Sequence, residues 1–180
     1  MVLTDLIFLQ ESSNKNSIMD EVYLGLGSNI GKAQCNLESA RGHLLDHLTV
    51  IRAVSPVYVS EPWGFESSNN FVNQVICIHT GRGPYELLSL TQKIEKMMGR
   101  TTAKKGYSDR IIDIDILFFG KRIISSKSLI IPHPLLHKRM FVLKPMSDIA
   151  PRFHHPVFNK SIEQLLEECP DRTLTHKMPV

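Results

Sequence analysis

Asp113 and Asp115 stand two residues apart in the run Asp109-Arg110-Ile111-Ile112-Asp113-Ile114-Asp115-Ile116-Leu117-Phe118-Phe119-Gly120. On an extended strand, residues i and i+2 share a face, roughly 6.6 Å apart along the backbone, so the two carboxylates project the same way. Ile112, Ile114, Ile116 and Phe118 are expected on the opposite face. A lone Asp-x-Asp is often no more than a solvated strand end, paired here with Arg110 and Lys121. The apolar flanks argue instead for a mid-strand position, where two like charges are costly unless a cation compensates them. Oxygen-only ligation points to Mg²⁺, which keeps several waters and shares its other positions with phosphate oxygens. Two such ions about 3.5 to 4 Å apart would make the clamp used for in-line phosphoryl displacement.

Phosphate calls for cations, and Arg100, Lys104, Lys105 and Arg110 lie on one adjoining loop with Arg139 beyond. Taken singly, each is an ordinary surface charge; together they describe a loop that closes over the strand when phosphate arrives. A different chemistry sits earlier in the chain. Phe71 and Asn73 share a strand face, so a flat heterocycle can stack on the ring while the amide bonds its edge, with Trp63 as a further wall. An aromatic and amide pair at this spacing is weak evidence alone. His133 lies between Pro132 and Pro134, held rigidly, where it is either structural or a phosphate contact. His154 and His155 read as unexplained surface.

The elements that must position these groups follow from periodicity. Val22 to Leu26 reads as a strand, then Gly27-Ser28-Asn29-Ile30-Gly31 as a tight turn with Ser28 or Asn29 near a helix N-terminus. Leu37, Ala40, Leu44 and Leu48 recur at helical spacing. Val50 to Val59 is a second strand, with Pro56 marking a bulge or an edge. Phe71 to Thr80 is a third. Gly83-Pro84 opens a helix with proline at its first position, Leu87, Leu88, Thr91, Ile94 and Met98 form its buried stripe, and Gly99 closes it in a left-handed cap. The Asp-x-Asp strand is the fourth, and Gly120-Lys121 turns it into Ile123-Ile124. The order βαββαβ predicts an α+β fold: a ferredoxin-like antiparallel sheet with helices on one face, plus a C-terminal hairpin and helix extension, with the site on the uncovered face. Beyond it come a short helix near Leu136 to Arg139, a proline-punctuated stretch, and a helix from Ser161 to Glu168.

With 180 residues, the chain is expected to hold one domain, residues 21–180, preceded by an extension, residues 1–20, in which Met19 is an alternative start. A formal charge of +3 is far from the clustered surplus of a nucleic-acid binder, and no aromatic-basic pattern marks the third strand. Neither nucleic acid nor membrane is expected as a partner; no apolar run approaches the ~18 residues of a membrane span. Three widely spaced cysteines fit a reducing cytoplasm, and a monomer is expected. Gly25-x-Gly27-x-x-x-Gly31 is one residue too long for a dinucleotide fingerprint. Gly31-Lys32-Ala33 fails as a phosphate loop, with Leu26 in place of its first glycine and Ala33 in place of its hydroxyl residue.

Four ordered motifs nevertheless agree with one family. Gly27-Ser28-Asn29, Ser60-Glu61-Pro62-Trp63-Gly64 followed by Phe71-x-Asn73, Arg110-Ile111-Ile112-Asp113-Ile114-Asp115-Ile116-Leu117, and Pro132-His133-Pro134 followed by Arg139-x-Phe141-Val142-Leu143 resemble 6-hydroxymethyl-7,8-dihydropterin pyrophosphokinase of folate biosynthesis. The resemblance runs from about Val22 to Glu168. It implies that ATP gives its β,γ-diphosphate to the pterin hydroxymethyl group, leaving AMP, with two Mg²⁺ on Asp113 and Asp115. By the same resemblance Gln92, Glu95, Arg110, Ile116, His133 and Arg139 meet the nucleotide, and Arg100 and Arg110 are catalytic. The pterin would lie between Phe71 and Phe141, read by Asn73 and the backbone near Ser60, Glu61 and Trp63. Two positions depart from the family pattern: Thr102 replaces a second loop arginine and Tyr107 a tryptophan, with Lys104 or Lys105 as a substitute charge that lacks the guanidinium fork.

Overall fold

A computed structural model of the protein describes residues 19–47, 50–100 and 108–179. The expectations for residues 1–18, for Leu48, and for Thr102, Lys104, Lys105 and Tyr107 fall outside these described residues. Strand β1 (Asp20–Ser28) leads into helix α1 (Ala33–Leu45), then come β2 (Val50–Val54), β3 (Tyr58–Ser60) and β4 (Phe71–Thr80), helix α2 (Pro84–Met97) and β5 (Asp113–Phe119). The chain continues through β6 (Ile124–Ser125), β7 (Ile130–Ile131), a 3₁₀ turn (Leu136–Lys138), α3 (Met140–Ile149), α4 (Ile162–Glu167) and β8 (Thr175–Lys177).

The main sheet runs β5-β1-β4-β3-β8, with β2 beside β3 along the same edge of β4, and every pairing is antiparallel. This is the split βαβ arrangement that the element order predicts. The expected second strand is broken: Pro56 has no N–H to give a ladder, so β2 and β3 are separate segments. Glu86 accepts the Gly83 N–H at 2.8 Å to start α2, and Gly99 ends it at φ +93°, where a side chain would be strained. Leu90 rather than Leu88 completes its buried stripe. Ser161 and Gln164 cap α4 reciprocally.

Helices α1 and α2 cover one sheet face, over a core that includes Leu24, Leu37, Ile76, Leu87, Ile94, Ile112, Ile114 and Phe119. The opposite face is not left bare. Helices α3 and α4 lie on part of it, and Leu143, Met146, Ile162 and Leu165 pack there with Tyr23, Leu117 and Phe118. Helix α3 was not legible as a helix because Pro145 falls inside it; the proline removes one ladder bond, and burial of Val142, Leu143 and Met146 outweighs that loss.

One irregularity changes the face assignment of β5. Leu24 pairs with Ile116 but Tyr23 pairs with Phe118, so Leu117 is an extra, unpaired residue in the strand. Such a bulge reverses the alternation beyond it. Phe118 therefore lies on the face of the aspartates, contrary to the simple period-two expectation, while Phe119 joins the isoleucines. Asp113 is also the first residue of β5 rather than a mid-strand one.

Candidate active site

The antiparallel register sets one row of residues across the sheet: Asp113 on β5, Gly27 on β1, Asn73 on β4 and Tyr58 on β3. A second row joins Asp115, Gly25 and Val75. Side chains in such rows share a face. Where β1 would add its own side chains it has glycines, so the floor between the carboxylates and the amide is bare backbone. A Cβ on Gly27 would come within 3.3 Å of Asn73 Oδ1, and one on Gly25 within 3.3 Å of Leu117 Cδ2. The glycines that imitated a nucleotide-binding loop thus form the bottom of a cavity of about 380 Å³.

Its two ends differ in chemistry. At one, Asp113 Oδ1 accepts from Arg100 Nη1 and Oδ2 from Arg110 Nη1, each at 2.5 Å. Asp113 thus pairs with Arg100 and Arg110, whereas Lys121 is exposed. Arg100 also pairs with Glu95, whose Oε1 accepts the Ile114 N–H at 2.7 Å. Burial, opposed by that N–H and by Arg100, pushes the Glu95 carboxyl up to about 7. Among the described residues Asp115 makes only longer ion-pair contacts, 3.7 Å to Arg139 Nη1 and 3.9 Å to His133 Nε2. Protein packed around it, and then the Asp113 charge, push its carboxyl up to about 7.

His133 is fixed from its backbone, its N–H donating to Leu117 O at 3.0 Å. Its Nδ1 accepts from the Leu135 N–H at 3.2 Å, so in the neutral ring Nε2 carries the proton and faces Asp115. Burial and Arg139 lower its pKa to about 4. His155, expected on the surface, is instead buried: it stacks on Phe158 at 4.3 Å, meets Phe118 edge-on, and is held neutral by burial with a pKa near 4.

At the other end of the cavity the walls are aromatic. Phe71 lines it, braced edge-on by Phe65 at 6.0 Å. Phe141, in the first turn of α3, and Trp63 line it too, with ring centroids 6.4 Å apart. The Arg139 guanidinium lies 4.9 Å from the Trp63 ring and 5.6 Å from that of Phe141. Asn73 donates its Nδ2 to Ser60 Oγ at 3.0 Å, which fixes the amide plane. Ser60, Glu61 and Trp63 all border this end.

A second cleft of about 290 Å³ runs along the other side of β5. Ile116, Leu88 and Leu129 give it apolar walls, and Asp115 and His133 border both cavities. Ile116 therefore belongs to this cleft alone. Gln92 is exposed, and neither Gln92 nor Glu95 lines either cavity; Glu95 reaches the site through Arg100 and through the Ile114 N–H.

Of Ser28 and Asn29, expected near a helix N-terminus, Ser28 meets α1: its Oγ accepts from Asn36 Nδ2 in the first turn at 3.0 Å, while Lys32, the residue before the helix, offers no side-chain cap. Asn29 is buried and bonds the segment before β5: its Oδ1 accepts the Arg110 N–H at 2.8 Å, its Nδ2 donates to Asp109 at 2.6 Å, and its N–H donates to Arg110 O at 3.1 Å. This splint aims Arg110 at Asp113. Its only sequence signal is the Gly-Ser-Asn triplet, which has no mechanism of its own until the two segments are known to touch.

Among the described residues no group of three His, Cys, Asp or Glu forms a metal cage. Two carboxylates on one face, bordered by cations, fit a hard divalent ion that takes its remaining oxygens from water and polyphosphate. No helix among the described residues is long and apolar enough to cross a membrane.

Comparison with known proteins agrees with this geometry. The family model described as 7,8-dihydro-6-hydroxymethylpterin-pyrophosphokinase (HPPK) matches residues 23–151. A protein of Aquifex aeolicus named 2-amino-4-hydroxy-6-hydroxymethyldihydropteridine pyrophosphokinase is 41% identical over 150 residues, covering 83% of this chain and 92% of its own length. The Bacillus subtilis protein of the same name is 40% identical, covering 71% and 77%. The folic acid synthesis protein fol1 of Pneumocystis carinii is 39% identical over 92% of this chain, which spans 22% of that longer protein. The crystal structure of Plasmodium falciparum HPPK-DHPS with SDX-DHP superposes with a TM-score of 0.68 at 18% identity, covering 83% of this chain and 44% of that one, a likeness of fold.

Proposed function

This chain belongs to the 7,8-dihydro-6-hydroxymethylpterin-pyrophosphokinase family, and from that membership we propose the following reaction. The enzyme transfers the diphosphate of ATP to the hydroxymethyl group of 6-hydroxymethyl-7,8-dihydropterin, releasing AMP. The observation that carries the reading is the single row Asp113–Gly27–Asn73, which sets a charged end and an aromatic end on one bare floor. A flat, polar-edged ring fits between Phe71 and Phe141, its edge meeting the Asn73 amide and the backbone at Ser60, Glu61 and Trp63. That pose aims a substituent of the ring toward Asp113 and Asp115.

ATP is assigned to the second cleft, its base between Leu88, Ile116 and Leu129 and its phosphates toward the shared border at Asp115 and His133. Asp113 and Asp115 are assigned as the ligands of Mg²⁺, two ions by the family resemblance, which when bound neutralises charge on the polyphosphate. Arg110 and Arg139 hold phosphate oxygens from opposite sides, and Arg100 exchanges Asp113 for the diphosphate while Glu95 stays on the Nη1 that the two carboxylates share. His133, neutral at physiological pH, presents Nε2–H as a donor without repelling or protonating a neighbour. Attack falls on the β-phosphorus, so positioning by these groups supplies most of the rate. Residues 21–180 form one catalytic domain in this proposal, monomeric and cytoplasmic, the location being consistent with three free cysteines.

The test is a coupled assay for AMP release with and without the pterin. Pterin-dependent AMP that disappears in Asp115→Ala, with the fold retained, supports the reading. A wild-type protein that releases no AMP in response to the pterin rejects it, as does a fully active Asp115→Ala.

A further inference from the structure

The C-terminal segment beyond α4 ties the two aromatic walls of the cavity to each other. Helix α3 begins at Met140, between Arg139 and Phe141, and its own preceding residue provides no cap. The cap comes from thirty-one residues downstream: Asp171 Oδ2 accepts the Met140 N–H at 2.9 Å. A carboxylate there also matches the positive end of the helix. Asp171 is itself buried, and its other oxygen accepts from the Thr173 N–H at 2.9 Å and from the Thr173 hydroxyl.

Three residues later the same segment grips the strand edge at Ser60, which pairs with Phe71 on its other side. Leu174 O accepts the Glu61 N–H at 3.3 Å, Thr175 pairs with Ser60, and β8 continues along β3 to Lys177 opposite Tyr58. Thr175 O also accepts from Lys144 of α3 at 2.5 Å. Farther along, Lys177 Nζ reaches Asp148 at 3.1 Å, which accepts the Tyr58 hydroxyl at 2.7 Å.

We propose that residues 171–175 act as a brace that fixes the spacing between Phe141 on α3 and the Ser60–Trp63 segment, with Asp171 as a positioning residue for the pterin. Asp171 lines neither cavity; it sets the first turn of α3, and β8 sets the facing loop, so this link adds to the packing of α3 on the sheet and to the Arg139–Trp63 contact in setting the slot's width. The brace lies beyond residue 151, where the family match ends. The inference rests on the assignment of the aromatic end to the pterin.

The experiment measures kcat, KM for pterin and KM for ATP, with pterin binding followed by quenching of Trp63, the one tryptophan of the chain, in the presence of a non-hydrolysable ATP analogue. Asp171→Ala is expected to weaken the pterin by roughly tenfold with ATP changed less than about twofold, because a small misplacement in a positioned site is felt strongly. Asp171→Asn, which keeps an oxygen for Met140, restores most of the loss. Thr173→Ala gives a smaller shift in the same direction and decides the matter if Asp171→Ala does not fold. Lys177→Ala cuts the segment's far tie to Asp148; it lowers Tm at least as much as Thr173→Ala and leaves the pterin KM unchanged. The proposal is overturned if Asp171→Ala and Thr173→Ala bind the pterin like wild type, if Asp171→Asn is as impaired as alanine, or if pterin and ATP weaken in parallel. A wild type that binds no pterin rejects the slot assignment itself.

Discussion

Asp113 and Asp115 are neighbours with different surroundings. Both oxygens of Asp113 are engaged by arginines, whereas Asp115 has, among the described residues, only the longer contacts to Arg139 and His133. A cation approaching Asp113 must displace a guanidinium. Removing one should therefore strengthen divalent binding to the nucleotide-free protein, even though it abolishes turnover. Arg100→Ala or Arg110→Ala is expected to tighten Mn²⁺ binding about three- to fivefold, the ~1 kcal/mol of a good, partly exposed pair. Paramagnetic titration without nucleotide measures this; unchanged or weaker binding in both variants would remove Asp113 from the metal site. Acid stability draws on His155 as well as on His133, both lowered to about 4; His155 is the one that lines neither cavity. Its folded pKa of about 4 lies below the ordinary 6.5, so the unfolded chain binds the extra proton between those values. The contribution is present above pH 6.5 and is lost as the pH falls toward 4. On the order of 1 to 2 kcal/mol should disappear between pH 7 and pH 5. Urea titrations of His155→Asn, in which Oδ1 can still accept from Val157 and Phe158, should show a visibly smaller loss; an equal slope would assign the acid sensitivity elsewhere.

Elements were legible where one periodicity ruled them. Strand β4 and helices α2 and α4 follow their sequence patterns because hydrophobic alternation and capping signals agree there. Helix α3 and strand β8 escaped: the first contains Pro145, and the second is three residues long and exists only because β3 offers an edge. The carboxylates, Asn73 and the facing aromatics were readable from residue type and the family likeness. Asn29 and Glu95 were not assigned their parts, because each acts through a contact between distant segments. The bulge at Leu117 is the subtlest of these, since nothing in an unbroken apolar run marks which residue is extra. Deleting Leu117 should remove the bulge and leave Phe118 and Phe119 on their present faces, at the cost of a leucine side chain that is fully buried. Loss of a buried leucine costs about 2 to 5 kcal/mol, so the deletion variant is expected to unfold at a clearly lower temperature by circular dichroism than Leu117→Met. A deletion variant as stable as wild type would show that the extra residue contributes no packing.

At the scale of the molecule, a single sheet carries two different layers. Helices α1 and α2 complete one face; α3 and α4 cover only part of the other, and the gap is the candidate site. Two cavities on either side of β5 share Asp115 and His133, so ligands in them meet at one strand. Occupancy of both should stabilise the fold together. At free ligand about a hundredfold above Kd, each contributes about 2.7 kcal/mol, or about 5 to 10 °C in Tm for a protein of this size. Thermal shift with the pterin, with an ATP analogue and Mg²⁺, and with all three measures this; no shift with the nucleotide would separate the second cleft from ATP.

The glycine floor has a consequence for how such a site is mapped. Mutational scans that trim side chains to alanine find groups whose removal hurts. At Gly25 and Gly27 alanine is an enlargement, and its methyl would enter space within 3.3 Å of Leu117 or Asn73. The space of the candidate site is encoded by atoms the chain does not carry, so a deletion-minded survey would record two conservative changes where the protein has had its floor raised.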